Sequence, residues 1–143
     1  MDAKKQQLIE GLNEDLAWEL TAIQQYIYNA SVVSGLARLT LKDFFMTEAQ
    51  DEMGHAQYLA EKIVNIGGEP IVQANPITPS HNVKEMLENT RQQEADTIER
   101  YIKRIAQADE CGEIELKIKL EDMVADETKH KEEIGRLLED SRL

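Results

Sequence analysis

The sequence predicts an all-α fold: a four-helix bundle made of two antiparallel helical hairpins joined by a long crossover. Apolar and ligand-type residues recur at steps of three and four over four long stretches, and Gly and Pro are almost absent from those stretches. The β-branched clusters typical of strands are missing. At 143 residues the chain is long enough for one substantial core, so residues 1–143 are expected to form a single domain.

The first hairpin is predicted from helices over about residues 4 to 33 and 39 to 66. The inward stripe of the first helix consists of Leu8, Leu12, Leu16, Glu19, Ile23, Tyr26 and Ala30. The turn signal Ser34-Gly35 follows it, and the second helix stops at Gly67-Gly68, since glycine is favoured just beyond helix C-termini. A short link between two long helices predicts that they run antiparallel.

The second hairpin follows a segment of different character. Residues 67–81 contain all three prolines of the chain and have no helical period, so they are expected to cross along the bundle in extended form. The third helix is predicted over about residues 82 to 109, with Ser80 or Asn82 as its N-cap, and the fourth over about 113 to 140. The apolar seam of the fourth helix consists of Leu116, Leu120, Met123, Glu127, His130, Ile134 and Leu137.

One pattern of carboxylates and imidazoles occurs twice in the chain. Its members are Glu19, Glu52 and His55 in the first half, and Glu94, Glu127 and His130 in the second. In each half a Glu-x-x-His motif lies 33 positions beyond a further Glu. Residues three apart share a helix face, so one motif can direct a carboxylate and an imidazole at a single ion. Two such halves in one bundle match the known di-iron and di-manganese arrangement.

Electrostatics favours bound cations at this place. Four ionised glutamates in an apolar core would repel one another and lose their hydration. Two divalent ions balance four carboxylates when the histidines are neutral, and mixed carboxylate and imidazole ligands suit Fe, Mn or Zn better than Mg or Ca. The spacing predicts Glu52 and Glu127 as bridging ligands, His55 and His130 as ligands of one ion each, and Glu19 and Glu94 as terminal ligands.

Composition narrows the function classes. Lys and Arg total 16 against 28 for Asp and Glu, a net charge of -12, which argues against nucleic acid and anionic membrane surfaces as partners. The single Cys111 and the absence of an apolar signal segment at the start indicate a cytoplasmic protein. No apolar run approaches the roughly 20 residues of a membrane span.

The chain resembles the ferritin-like superfamily and within it is most similar to bacterioferritin. The segments that carry the resemblance are Glu19-Leu20-Thr21-Ala22-Ile23-Gln24-Gln25-Tyr26, Asp51-Glu52-Met53-Gly54-His55-Ala56 and Asp126-Glu127-Thr128-Lys129-His130. The resemblance implies a ferroxidase, a di-iron oxidoreductase that binds two Fe(II) ions per subunit and oxidises them with oxygen or hydrogen peroxide for iron storage or detoxification. It also implies a homo-oligomer.

The resemblance suggests roles for two further residues. Met53 stands where bacterioferritin has the ligand of a haem b shared by two subunits, with an apolar interface residue as the alternative. Tyr26 resembles the family's tyrosine near the di-iron site, where it could donate an electron or bond a terminal carboxylate, or be an ordinary core tyrosine. Glu48 is expected to be a partly exposed helix residue rather than an outer carboxylate of the site, and Tyr101 carries no specific signal.

Differences from the family leave alternatives open. Bacterioferritins continue into a fifth helix that lines shell channels, whereas this sequence stops at Leu143, so the resemblance does not extend to the 24-subunit shell. The expected homo-oligomer is at least a dimer, which needs no fifth helix, and its size stays open. A rubrerythrin-like peroxidase or oxidase without iron storage is the main alternative. Thr97 stands where rubrerythrins carry an additional Glu, and Cys111 alone cannot form their cysteine domain. A third alternative is a non-redox bundle that holds Zn or Mn.

Overall fold

The computed structural model describes residues 1–143 and contains four α-helices. They are α1 (Ala3–Val32), α2 (Arg38–Asn65), α3 (Val83–Glu110) and α4 (Ile114–Leu137). α1 packs along α2 and α3 packs along α4, while α1 also contacts α3. The predicted all-α class and the two helical hairpins are therefore confirmed. None of the four helices combines the length and apolar character that a membrane span requires.

The helix ends follow local chemistry. The Asp2 side chain accepts a hydrogen bond from Lys5 N at 2.8 Å, and the Asn82 side chain accepts one from Glu85 N at 2.8 Å, so both first turns have side-chain caps. The turn into α2 contains Gly35 at φ 77°, and Gly67, two residues beyond the last residue of α2, has φ 99°. Residues other than glycine rarely adopt this conformation. Of the two predicted N-caps of α3, Asn82 rather than Ser80 occupies that position.

The fourth helix is shorter than predicted. It ends at Leu137. Beyond this residue the backbone makes hydrogen bonds between residues three apart, such as the bond from Glu139 N to Arg136 O at 3.1 Å. The apolar seam of α4 ends at Leu137, and Leu138 is the C-cap of the helix. Residues 141–143 are exposed.

The crossover between the hairpins lies against α1. Thr21 Oγ1 accepts a hydrogen bond from Asn75 N at 2.8 Å, and Gln25 Oε1 accepts one from Thr78 N at 2.7 Å. These bonds satisfy backbone groups that an extended segment would otherwise present to the bundle unpaired. They also explain why the polar side chains of Thr21 and Gln25 are buried. The extended crossover predicted over residues 67–81 is confirmed, since no helix or strand occurs there.

The core consists of two apolar clusters at different heights in the bundle. We call the first the lower cluster; its members include Leu8, Leu12, Leu59, Ile63, Leu116 and Leu120. The upper cluster is built mainly from Tyr26, Phe45, Met86, Leu87 and Ile134. Between the two clusters the inward positions of all four helices are polar, and the candidate centre lies there.

Candidate metal centre

All six side chains of the repeated motif converge between the two clusters. α1 supplies Glu19, α2 supplies Glu52 and His55, α3 supplies Glu94, and α4 supplies Glu127 and His130. Each is at most 8% exposed. Helical periodicity accounts for this placement, because each residue continues the apolar stripe that its helix turns toward the core.

The side chains form two overlapping groups, and the ligand atoms within each group lie within 4.8 Å of one another. One group is Glu19, Glu52, His55 and Glu127, and the other is Glu52, Glu94, Glu127 and His130. Glu52 and Glu127 belong to both groups, as bridging carboxylates between two adjacent ions would. The arrangement agrees with the predicted roles, and ligation itself stays a prediction.

The donor atoms at the centre are buried without hydrogen-bond partners. Nδ1 of both histidines is unpaired, as is one carboxylate oxygen of each of the four glutamates Glu19, Glu52, Glu94 and Glu127. His55 Nδ1 lies 3.0 Å from Glu127 Oε1, and His130 Nδ1 lies 3.4 Å from Glu52 Oε1. Buried polar atoms are rarely left unpaired. The number and chemistry of the unpaired nitrogen and oxygen atoms at this centre fit a pair of transition-metal ions.

Two aspartates hold the outer nitrogens of the imidazoles. His55 Nε2 lies 3.0 Å from Asp126 Oδ2, and His130 Nε2 lies 3.1 Å from Asp51 Oδ2. A proton on Nε2 leaves Nδ1 free as a donor to metal, and such outer carboxylates also fix the ring orientation. Sequence reasoning did not assign this role, although an Asp directly precedes the Glu of each Glu-x-x-His motif.

Two buried tyrosines hold the glutamates of the opposite hairpin. The Tyr26 hydroxyl donates to Glu94 Oε1 at 2.5 Å, and the Tyr101 hydroxyl donates to Glu19 Oε1. Of the uses considered for Tyr26, the bond to a carboxylate is therefore present. Tyr101 was missed, although it lies seven positions after Glu94 as Tyr26 lies seven after Glu19.

Glu48 was expected to be partly exposed, and that expectation is wrong. It is 8% exposed, and its Oε2 atom lies 2.8 Å from His130 Nδ1. Glu48 lies one turn before Glu52 on the inward stripe of α2, so the same helix rotation that buries Glu52 buries Glu48 as well. The centre therefore contains five buried glutamates rather than four.

A buried ion pair lies one turn away from the centre. Arg104 Nε donates to Asp15 Oδ2 at 2.7 Å and Nη2 to Asp15 Oδ1 at 3.2 Å, a two-point contact. Burial raises the pKa of Asp15, and the hydrogen bond from Arg104 opposes that rise. Gly11 makes the room, since a Cβ there would lie 1.9 Å from Arg104 Nη1. Asp15 lies one turn before Glu19, so the pair joins α1 to α3 next to that glutamate.

The metal-free charges at the centre are unfavourable. Burial, together with the charge of Glu127, raises the pKa of Glu19 from 4.5 to about 7. Burial and the charges of Glu19 and Glu127 raise the pKa of Glu52 well above 4.5. Burial alone would lower the pKa of His55, but Glu127 and Glu19 outweigh it and raise that pKa to about 9. Without cations the centre therefore holds protons, which metal binding must displace.

Met53, the suggested haem ligand, lies on the outer side of α2 and is 55% exposed. It lines neither the 640 Å³ cavity near the end of the bundle nor the 310 Å³ cavity near Pro70. A single chain therefore does not enclose a haem at Met53, and only a second chain could complete such a site. Haem ligation stays a prediction.

The family follows from a sequence comparison. The model of the ferritin-like domain matches residues 9–143. The chain belongs to the ferritin-like domain family. The family match includes all six converging side chains.

This ferritin-like chain is similar to curated bacterioferritins. It is 32% identical over 128 residues to the protein of Desulfovibrio desulfuricans, and the match covers 89% of this chain and 72% of that protein. It is 33% identical over 132 residues to the Rhodobacter capsulatus protein, covering 90% and 79%. A match with Streptomyces coelicolor bacterioferritin is 35% identical but spans 66% of the chain and 57% of that protein.

Solved structures are similar to the ferritin-like bundle as well. A structure described as a ferritin-like, diiron-carboxylate protein from Bacillus anthracis has a TM-score of 0.95 and 53% identity, and the match covers 96% of this chain and 99% of that one. Bacterioferritin of D. desulfuricans, whose structure describes a diiron site in different catalytic states, has a TM-score of 0.86 and 30% identity, covering 94% and 80%.

Proposed function

We propose that residues 1–143 form a single di-iron domain that binds two iron ions and oxidises Fe(II), a ferroxidase of bacterioferritin type. The observation that carries the proposal is the pair of overlapping donor groups, whose buried imidazole nitrogens and carboxylate oxygens lack hydrogen-bond partners. The family and the similarity to a diiron-carboxylate protein support iron as the metal.

The proposed ligands are those of the repeated motif. Glu52 and Glu127 bridge, His55 and His130 bind through Nδ1, and Glu19 and Glu94 are terminal. Asp126 and Asp51 keep the protons on the outer imidazole nitrogens, while the two tyrosines hold the terminal carboxylates in place. The apolar clusters on either side limit the access of water, which strengthens charge interactions inside the centre.

Bound iron supplies one-electron redox chemistry. Two Fe(II) ions give up two electrons, and hydrogen peroxide takes both with two protons to form two water molecules. Oxygen, taking two electrons and two protons, would instead give hydrogen peroxide. The protein's part is to collect the ions in fixed positions and to release the protons that they displace. We propose that the chain works as a homo-oligomer, as its bacterioferritin relatives suggest.

Aerobic addition of Fe(II) to metal-stripped protein tests the proposal. We expect rapid oxidation, followed by absorbance, and its loss in Glu127→Ala; an unchanged rate in that variant refutes the site. The exposed Glu133→Ala, on the same helix, is the control. Iron count and assembly mass then separate the outcomes: many irons per chain in a large assembly indicate storage, and about two with turnover of peroxide indicate the rubrerythrin-like alternative. Binding without oxidation indicates a non-redox bundle.

Haem is tested separately. If two chains share a haem through Met53, protein expressed with ample haem should show the absorption band of a thioether-ligated haem, and Met53→Ala should lose it. The exposed Met46→Ala is the control on the same helix. Protein that stays free of this band under those conditions rules haem out.

A further inference from the structure

We propose that Glu48 is a seventh ligand of the centre and makes its two metal positions unequal, so that the position beside His130 binds its ion more tightly than the position beside His55. The inference rests on the proposed di-metal function and concerns the order in which the ions bind. It follows from a break in the internal repeat and from the contacts of the Glu48 carboxylate.

The two halves of the centre are related by a shift of 75 positions along the chain. Five residues of the first half correspond to residues of the same type 75 positions later. They are Glu19 and Glu94, Tyr26 and Tyr101, Asp51 and Asp126, Glu52 and Glu127, and His55 and His130. Glu48 is different, because the shift takes it to Met123. Met123 is 4% exposed and packs in the lower cluster, so the second half has an apolar side chain where the first has a carboxylate.

Because Glu48 has no counterpart in the second half, the two imidazoles have different numbers of carboxylates around them. His55 Nδ1 has three carboxylates within 4.0 Å, those of Glu19, Glu52 and Glu127. His130 Nδ1 has four, those of Glu48, Glu52, Glu94 and Glu127. Two divalent ions neutralise four of the five carboxylates, and the remaining negative charge lies beside His130. A cation there is attracted more strongly than one beside His55.

The geometry around Glu48 suits direct ligation. Its Oε2 atom and His130 Nδ1 are buried and 2.8 Å apart, which is an ion-pair distance if His130 is protonated, but their angles are not those of a hydrogen bond. Two ligand atoms of one ion, each at about 2.1 Å from it and at a right angle, lie about 3 Å apart. The separation of His55 Nδ1 from Glu127 Oε1, 3.0 Å, is of the same kind. The separation of Glu48 Oε2 from His130 Nδ1 is therefore the one expected of two atoms that bind the same cation.

Titration of metal-stripped protein with Co(II) under argon tests the inference. The visible absorbance of the bound ion and the heat of binding give the stoichiometry and the stepwise affinities. We expect two resolved steps in the native chain. Glu48→Met gives the first half the residue that the second half already has, and it should weaken the tighter step roughly 10- to 100-fold so that the two steps merge. Glu48→Gln should act in the same direction and keeps the side chain's size if the Met variant folds poorly.

Control measurements assign the effect. Glu61→Met removes one exposed glutamate from the same helix and should leave both steps unchanged. In crystals loaded with one equivalent of Co(II), anomalous scattering should be stronger beside His130 than beside His55.

Each other outcome is informative. Equal steps in the native chain, or unchanged separation in both Glu48 variants, overturn the inference and leave the di-metal centre intact; Glu48 would then only pair with a protonated His130. A third Co(II) that disappears with Glu48→Met also overturns it, in favour of a separate position made with the exposed Asp51. Native protein that takes up no Co(II) refutes the proposed metal function itself.

Discussion

Replacing Glu19 by Gln is expected to stabilise metal-stripped protein at pH 8, although it removes a proposed ligand. Burial raises the pKa of Glu19 from 4.5 to about 7, which corresponds to about 3 kcal/mol of unfavourable ionisation free energy at pH 8. The sign follows from the direction of the shift. A carboxyl group whose pKa is raised in the folded state contributes stability below pH 4.5 and loses it as the pH rises through about 7.

The amide of Gln avoids this loss. Its oxygen can still accept the Tyr101 hydroxyl, and its nitrogen can donate toward Glu52, so no buried donor is left unpaired. At pH 8 we expect the midpoint of thermal unfolding of the Gln variant to rise by about 6 to 12 °C when metal is absent. At pH 5, where native Glu19 is largely protonated, the difference should fall to about a quarter of its value at pH 8.

Circular dichroism during heating of chelator-treated protein measures this effect. The exposed Glu10→Gln, on the same helix, should change the midpoint little at either pH. Addition of Zn(II) should reverse the order at pH 8, because the native centre gains more from the cations than the variant does. A Gln variant that is no more stable than the native chain at pH 8, or equally stabilised at both pH values, would show that ionised Glu19 is not a source of instability.

Three further predictions concern the residues around the centre. Tyr101→Phe should weaken Zn(II) binding roughly 10- to 100-fold by freeing Glu19, whereas Tyr28→Phe should not; equal affinities would contradict the role of the crossed bond. Asp126→Asn should weaken Zn(II) binding by a similar factor, and the nitrogen NMR shifts of His55 should show a changed tautomer; an unchanged tautomer would exclude Asp126 as its cause. Gly11→Ala should lower the free energy of unfolding by about 3 to 5 kcal/mol, measured with urea, because its Cβ displaces Arg104 from Asp15. Gly54→Ala meets no atom within 4 Å and should be neutral or stabilising by up to about 1 kcal/mol, so a comparable loss there would point to a general helix effect.

Local rules account for much of the fold and the centre. Leu12, Glu19 and Tyr26 are seven positions apart, two helical turns, which places them on one face of α1 whatever the helix packs against. Glycine fixes the ends of α2 for equally local reasons, since Gly35 and Gly67 have positive φ. The i, i+3 spacing likewise places His55 beside Glu52 before any tertiary contact forms.

Other features depend on which helix faces which. The sequence shows that Asp126 precedes Glu127, but not that its carboxylate reaches His55, 71 positions away. It shows Tyr101 on the stripe of α3, but not that the hydroxyl meets Glu19, 82 positions away. Such contacts require the relative rotation and height of helices from different hairpins, which periodicity within one helix does not contain.

The sequence by itself thus determined four helices, two hairpins and an inward set of carboxylates and imidazoles, because each depends on spacing along one helix or on an internal repeat. Only the tertiary structure decided that Glu48 is buried beside His130, and that Arg104 lies against Asp15 where Gly11 leaves room. The physical reason is that burial of a polar side chain depends on a partner. The partner is supplied by another helix, whose register is fixed only when the core packs.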